Sequence, residues 1–414
     1  MRGIIEGFYG PPWSWADRRL VSETLAAAGM DIYVYAPKDD PLHRERWREP
    51  YDDGFLDDLA ALAAPGGLRV AFAVSPGLSI DTADAGDRDA LVAKVAQVTE
   101  RGVTCVGLCL DDLPPGPGLG GRHGELGAWL AGVLGDGVEL FVVPTHYTGT
   151  ACTPYLDDLD RLLPRDVPIG WTGRLVVNDS VTAAEAEAWS AAVGGRLPLL
   201  WDNTPVNDAL MASRLRAGPL RGRGPDLVAR LGGYLANPMV QARASVPALL
   251  SAAAWLRGDD PLSAWEAAVG AQRVLAEGCD TDVPLALGRR AVAGDTGAAV
   301  DLRAWLEAAA ACESGPWGDE VAPWADQLRR EARVCLAALD ALAVDGVERA
   351  RRATTAIFLW SGVRSLTVEV LGGRGGITAG LGQDADGGWV ADRSAVVAPG
   401  SLTDLLVAEV AARL

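Results

Sequence analysis

Short runs of consecutive apolar residues alternate along this chain with longer segments whose apolar positions recur every three or four residues. The runs are Gly3–Phe8, Ile32–Ala36, Arg69–Ser75, Val103–Leu110, Val138–Val143, Val167–Trp171 and Leu197–Trp201. Their starts lie roughly 28 to 38 residues apart, the length of a strand plus a helix. Most are apolar at successive positions rather than alternating, the signature of strands buried on both faces of a parallel sheet. Between them, Ala16–Ala28, Phe55–Ala64 and Asp87–Val98 have helical spacing. Asp81 or Thr82 is expected to start the third helix, and Thr182 to cap another at Ala183. A weaker run, Leu215–Leu220, is read as an eighth strand. Eight β/α units over residues 1–238 predict an α/β fold, a (β/α)8 TIM-type barrel, with a doubly wound sheet as the competitor. The texture changes after Asn237-Pro238. Residues 239–355 are Ala-, Leu- and Arg-rich with breaks at Gly258–Pro261, Gly278–Val283 and Gly315–Gly318. They predict an α-helical bundle of four or five helices. Residues 356–414 predict a small α/β appendage: a strand at Leu366–Val370, turns around Gly372–Gly376 and a last helix at Leu402–Leu414.

Composition narrows the class. Of the 414 residues 49% are hydrophobic, so a large core is available, and 37 basic against 55 acidic residues leave a net charge of −18. That balance argues against nucleic acid or an anionic membrane as partner, since both need a basic surface. No run of eighteen apolar residues suggests a membrane span. The first residues read directly as a strand, not as a signal peptide, so a cytoplasmic location is expected. The six cysteines form no Cys-x-x-Cys pair, and Cys105 and Cys109 share one face of a strand as core filler. The three histidines form no His-Glu-x-x-His pattern, so no metal is expected.

In a barrel, chemistry gathers where the strands end. The strand ends here carry Gly7-Phe8-Tyr9-Gly10, Pro37-Lys38-Asp39-Asp40, Asp111-Asp112, Thr145-His146-Tyr147 and Trp201-Asp202-Asn203 with Asn207-Asp208 following. Aromatic rings, amides and carboxylates on one rim suit a sugar, which offers apolar ring faces and many hydroxyls. Asp111-Asp112 is the sharpest feature. Neighbouring strand residues point to opposite sides, so the pair meets one ligand only where the strand gives way to a loop. Two close carboxylates do not both ionise cheaply, so one is expected to hold its proton above the usual range and serve as general acid. A helix cap or a divalent-cation pair are the other readings. Lys38 and Lys94 are the only lysines among 37 basic residues, and Lys38 sits at a strand end, where a compact donor fits better than a guanidinium fork. Gly116-Pro117-Gly118-Leu119-Gly120-Gly121 has dinucleotide-loop spacing, but its prolines and its place in the fourth unit favour a long strand-to-helix loop ahead of a helix at Glu125–Leu134. His146 has no nucleophile elbow beside it.

Together these segments resemble glycoside hydrolase family 84, the β-N-acetylglucosaminidases that include the protein O-GlcNAcases. The matching stretches are RGIIEGFYGPPWSW, YVYAPKDDPLHRERWREPY, SPGL, LDDL, VPTHYTGT, GWTG, LWDNTPVND and LANP, in the family's order from Arg2 to about Pro238. The resemblance implies a barrel followed by a helical domain. It implies retaining hydrolysis of terminal β-linked GlcNAc in which the substrate's own 2-acetamido oxygen attacks the anomeric carbon and forms an oxazoline. It assigns Asp111 to orient the acetamido N–H and Asp112 to act as general acid, then base. Tyr147 is implied near the acetamido group, and Trp201 and Asn203 around it. Gly7, Lys38, Asp208 and Asn237 are implied at the pyranose rim. No cofactor is implied, and the partner is a GlcNAc-containing glycoside or glycoprotein. Removal of O-GlcNAc from protein serine or threonine, hyaluronidase-type cleavage, and glycan binding with little turnover are the functional alternatives. The helical bundle is a candidate homodimer surface. Two departures from the family stand out: the Pro/Gly-rich segment after Asp112, and His146 where many members have an acidic residue.

Overall fold

Eight short parallel strands carry the architecture of this computed structural model, which describes residues 1–63, 66–135, 137–363, 368–371, 381–383, 389–391 and 401–413. They are β1 (Arg2–Glu6), β2 (Ile32–Tyr35), β3 (Arg69–Val74), β4 (Cys105–Cys109), β5 (Glu139–Val143), β6 (Gly170–Trp171), β7 (Leu199–Asp202) and β8 (Gly233–Ala236). The order is β5-β4-β3-β2-β1-β8-β7-β6, and a parallel bridge from Val142 to Ile169 joins the two ends. The result is a (β/α)8 barrel. Helices α1 (Trp15–Ala27), α2 (Asp53–Leu62), α3 (Ala85–Thr99), α4 (Leu119–Leu134), α5 (Pro154–Leu162) and α6 (Ala183–Ala192) connect the first seven strands.

Period-two alternation separates the two faces of each strand. Ile5, Val34, Ala71, Ala73, Cys105, Cys109, Phe141 and Trp201 fill the inside of the barrel. Ile4, Tyr33, Phe72, Val106, Val142 and Leu200 pack outward against the helices. The small inner residues of β3 and β4 leave room for Phe141: a Cβ on Gly107 would lie 2.4 Å from its ring. Cys105 and Cys109 share the inner face, buried and unpaired.

Three details of the barrel differ from the sequence reading. The eighth strand is Gly233–Ala236, not Leu215–Leu220. Leu215 and Ala217 are apolar because they join a second core formed with the later helices. Helix α3 starts at Ala85, capped by the Asp84 side chain on Asp87 N–H, rather than at Asp81 or Thr82. Helix α4 starts at Leu119, so the Gly-rich segment runs into the helix itself. Gly120 is there because α5 crosses closely: a Cβ would lie 2.2 Å from the Tyr155 carbonyl oxygen. The Thr182 cap is present, with Glu185 completing a capping box.

After the barrel come α7 (Ala242–Arg257), α8 (Pro261–Val269), α9 (Arg273–Asp280), α10 (Val283–Val292), α11 (Thr296–Ala309), α12 (Ala322–Leu342) and α13 (Gly346–Val363). Seven helices among the described residues replace the expected four or five. Gly270 and Gly294, both at positive φ, break segments that read as continuous. Leu249, Ala252 and Trp255 of α7 pack on the barrel while Ala244 joins the second core, so this helix is the seam. In the C-terminal segment, Val368–Val370 are not in a strand, and the turns at Gly372–Gly376 lie outside the described residues. Helix α14 (Leu402–Ala412) packs through Leu402 and Leu406 on the second core. No described helix is long and apolar enough to cross a membrane.

Candidate active site

A cavity of about 500 Å³ opens where the strands end, and all nine site residues expected from the sequence line it. Gly7 follows β1, Lys38 follows β2, Asp111 and Asp112 follow β4, and Tyr147 follows β5. Trp201 lies in β7, Asn203 and Asp208 follow it, and Asn237 follows β8. Val176, Val177, Val206 and Leu210 add apolar wall.

The aspartates share the cavity because β4 stops at Cys109 and Asp112 adopts φ +55°, a left-handed turn rare for a residue with a side chain. Their surroundings differ sharply. Asp111 Oδ2 pairs with the Lys38 ammonium, and both side chains are buried. Asp111 Oδ1 is buried with no hydrogen-bond partner among the described residues. In Asp112 both oxygens are taken: Oδ1 accepts from the Tyr147 hydroxyl at 2.7 Å and Oδ2 from the Tyr9 hydroxyl at 2.8 Å. Arg44 Nη1 in turn donates to the Tyr9 oxygen at 2.7 Å.

The opposite wall is a chain of amides. Trp201 Nε1 donates to Asn203 Oδ1 at 3.0 Å. Asn237 Nδ2 donates to the same oxygen at 2.9 Å, and Gly7 N–H donates to Asn237 Oδ1 at 3.2 Å. Asn203 Nδ2 is tied to the Val176 carbonyl at 2.7 Å. The indole lies against the Gly7 backbone, where a Cβ would be 2.3 Å from Trp201 Cζ2. Asp208 Oδ2 accepts from Tyr9 N–H at 2.7 Å, linking the β7 and β1 loops. Asp202, the neighbour of Trp201, points the other way into a buried two-pronged pair with Arg223.

Electrostatics correct one expectation. Burial pushes the Asp112 carboxyl up, but the Lys38 charge, the Tyr147 and Tyr9 hydroxyls and Arg44 outweigh it and hold it below the ordinary carboxylate range. The member assigned as acid is therefore ionised in the unliganded site, because cations and donors, not only a like charge, surround it. Burial pushes Lys38 down, and its carboxylate neighbours, Asp111 foremost, more than restore it, so the ammonium stays charged. Burial, then Asp112, raise the Tyr147 phenol, which keeps its proton to donate. Burial raises Asp208.

Tyr9 and Arg44 are site residues that the sequence reading did not single out. Both stood in recognised segments, Gly7–Gly10 and the stretch after Lys38, but nothing local marks the contact of Tyr9 with Asp112 or of Arg44 with Tyr9. His146 does not line this cavity. It is buried, stacked on Tyr155 with ring centroids 4.5 Å apart, and bonded to Thr153 Oγ1 at 3.0 Å. No cluster of three His, Cys, Asp or Glu among the described residues is placed to hold a metal.

Comparison with known proteins identifies a family and a fold. A family model described as beta-N-acetylglucosaminidase matches residues 2–282. The protein O-GlcNAcases of Rattus norvegicus and Mus musculus are each 30% identical over 275 residues, 62% of this chain. The match spans 30% of the length of those two relatives. Among solved structures, a variant of the O-GlcNAc hydrolase of Thermobaculum terrenum superimposes with a TM-score of 0.78 at 24% identity. That superposition covers 89% of this chain and 91% of the other.

Proposed function

The chain belongs to the β-N-acetylglucosaminidase family, glycoside hydrolase family 84, and from that membership we propose that it hydrolyses terminal β-linked GlcNAc with retention, using the substrate's acetamido group as nucleophile. The observation that carries this reading is the buried Asp111 Oδ1, without a hydrogen-bond partner among the described residues, on a carboxylate that lines the cavity and whose other oxygen is neutralised by Lys38. An unpaired buried carboxylate oxygen is costly, and a donor on the ligand removes the cost. The acetamido N–H is such a donor.

Each step then has a group to serve it. Asp111 accepts the acetamido N–H and turns its carbonyl oxygen toward the anomeric carbon. That oxygen attacks as the glycosidic oxygen leaves with a proton from Asp112, giving a protonated oxazoline, its N–H held by the Asp111 carboxylate, and the free aglycone. Asp112, now ionised, takes a proton from water, which opens the oxazoline from the same face as the departed group and restores the β-configuration. The positive charge growing at the ring and on the acetamido nitrogen is stabilised by the Asp111 carboxylate. Trp201 and the valine wall enclose the N-acetyl methyl, and Tyr147 turns its hydroxyl to the acetamido oxygen. Asn203 and Asn237 bind sugar hydroxyls, with Asp208 on the outer ones. We extend the proposal to a GlcNAc-modified protein as substrate, the activity for which the rat and mouse relatives are named.

The test is hydrolysis of an aryl β-GlcNAc glycoside beside the matching glucoside, which lacks the acetamido group. Turnover of the first only, with a β-configured first product, is expected. Equal turnover of both, or an inverted product, refutes the mechanism. Sugar binding without turnover replaces it with a glycan-binding role.

A further inference from the structure

Arg44 follows Lys38 on the segment between β2 and α2 but does not line the cavity. Its Nη1 donates to the Tyr9 hydroxyl, which donates to Asp112 Oδ2. A guanidinium donates and never accepts, and a phenol has one proton. With Arg44 on the Tyr9 oxygen, the Tyr9 proton is directed onto Asp112, so the chain runs one way. The Arg44 guanidinium lies 5.9 Å from the Tyr9 ring centroid, and its Nε is buried without a partner. Contact with Tyr9 is thus the only directed polar contact made by this half-buried cation among the described residues. Tyr9 is 40% exposed, and Asp208 pins its backbone, so its hydroxyl stands at the mouth where a leaving group must approach.

We propose that Arg44 is a positioning residue for the acid: through Tyr9 it holds Asp112 Oδ2 on the aglycone side until an aglycone oxygen displaces the Tyr9 hydroxyl. This rests on Asp112 being the general acid. The groups facing Asp112 are Tyr9 after β1, Lys38 and Arg44 after β2, Tyr147 after β5, Asp208 after β7 and its neighbour Asp111. Lys38, the two hydroxyls and Arg44 favour its ionised form, while burial and the like charge of Asp208 oppose it. The active form carries the proton on Asp112. Removing Arg44 or the Tyr9 hydroxyl lets Asp112 keep that proton to higher pH, so the basic limb of the rate profile moves up.

The experiment is the pH dependence of kcat/KM for a β-GlcNAc glycoside with a poor leaving group, measured on the full chain. Arg44→Met and Tyr9→Phe are each expected to raise the basic limb by about half to one pH unit. Arg44→Lys, which keeps a charge and a donor, recovers part of the wild-type profile. Combining Arg44→Met with Tyr9→Phe shifts the limb by less than the sum of the two single shifts. An unmoved limb in Arg44→Met, or additive shifts in the double variant, overturns the relay. Should Arg44→Met fail to fold, an unmoved limb in Tyr9→Phe overturns it equally. Absence of wild-type hydrolysis refutes the glycosidase reading and takes this inference with it. A wild-type enzyme that hydrolyses but shows no shift on substitution refutes the inference alone.

Discussion

Gly7→Ala tests how firmly the sugar pocket is built. The new Cβ would sit 2.3 Å from Trp201 Cζ2 and 2.7 Å from Cη2, where ordinary contact begins near 3.4 Å. About 1.1 Å must be found. The Gly7 backbone yields little, because its N–H is shared between the Ile5 carbonyl at 2.8 Å and Asn237 Oδ1 at 3.2 Å. The indole has to move, and it moves into the cavity or breaks its bond to Asn203, which also orients Asn237. A misplacement of about 1 Å in a site of this kind costs roughly 10²-fold in rate, or about 2.7 kcal/mol of transition-state stabilisation. The fold itself loses about 1–3 kcal/mol from overpacking. The assay is kcat/KM on an aryl β-GlcNAc glycoside, with a denaturant titration to show that the variant is folded at the assay temperature. Wild-type kcat/KM in Gly7→Ala would show that the indole gives way freely and would refute a pinned Trp201 wall.

The proposed catalytic pair has its own signature. Asp112→Asn should slow glycosides with poor leaving groups by roughly 10²–10⁴-fold and activated aryl glycosides far less, whereas Asp111→Asn should slow both; equal losses in Asp112→Asn contradict its role as acid. Asp202→Asn leaves Arg223 buried without its carboxylate and should cost about 3–5 kcal/mol in denaturant unfolding; a loss below about 1 kcal/mol, the size of an exposed pair, would mean that the pair does not anchor the end of β7. Stability should also fall in mild acid. Burial, chiefly, lowers His43 and His123 to about 3, against 6.5 for the free side chain. The unfolded chain takes up these protons near pH 6.5 and the folded chain does not. Stability complete above pH 6.5 is therefore lost as pH falls toward 3, by up to about 1.4 kcal/mol per pH unit for each ring. Tm measured at pH 7 and pH 5 should fall in the wild type and less steeply in His43→Gln with His123→Leu; parallel slopes sink this assignment.

Much of this site was legible because barrel strands announce themselves as apolar runs and their C-terminal ends fall on one rim. Lys38, the aspartate pair, Trp201 and Asn203 sit directly at such ends. The roles given to Asn237 and Asp208 came from the family resemblance, since neither has a local pattern that distinguishes it from a loop polar residue. The eighth strand was misplaced because Gly233–Ala236 is short and unremarkable in composition, while Leu215–Leu220 is apolar for a different reason, the seam with the later helices. The expectation that one carboxyl of the pair holds its proton above the usual range is not met at Asp112, for a non-local reason as well. Its neighbours come from the ends of β1, β2 and β5, and a pair rule applied to Asp111-Asp112 alone sees none of them.

The two adjacent carboxylates are prepared for different moments. Asp111 has one oxygen neutralised and one bare, so it is ready for a donor before any substrate arrives. Asp112 has both oxygens satisfied, so it has no unmet need until a substrate withdraws its partners. In the proposed complex Tyr147 leaves Asp112 for the acetamido oxygen, and the aglycone displaces Tyr9. The two hydroxyl donors to Asp112 are lost in the same event, which leaves Lys38 and Arg44 to favour its charge, while the ligand excludes water and deepens burial, which already opposes it. The carboxyl becomes a competent acid through occupancy rather than through its resting surroundings. A ligand lacking the acetamido group engages neither Asp111 Oδ1 nor Tyr147, so it forfeits the nucleophile and leaves the acid unarmed. Discrimination between GlcNAc and glucose is then expected to exceed what the contacts of one acetamido group would supply by binding alone.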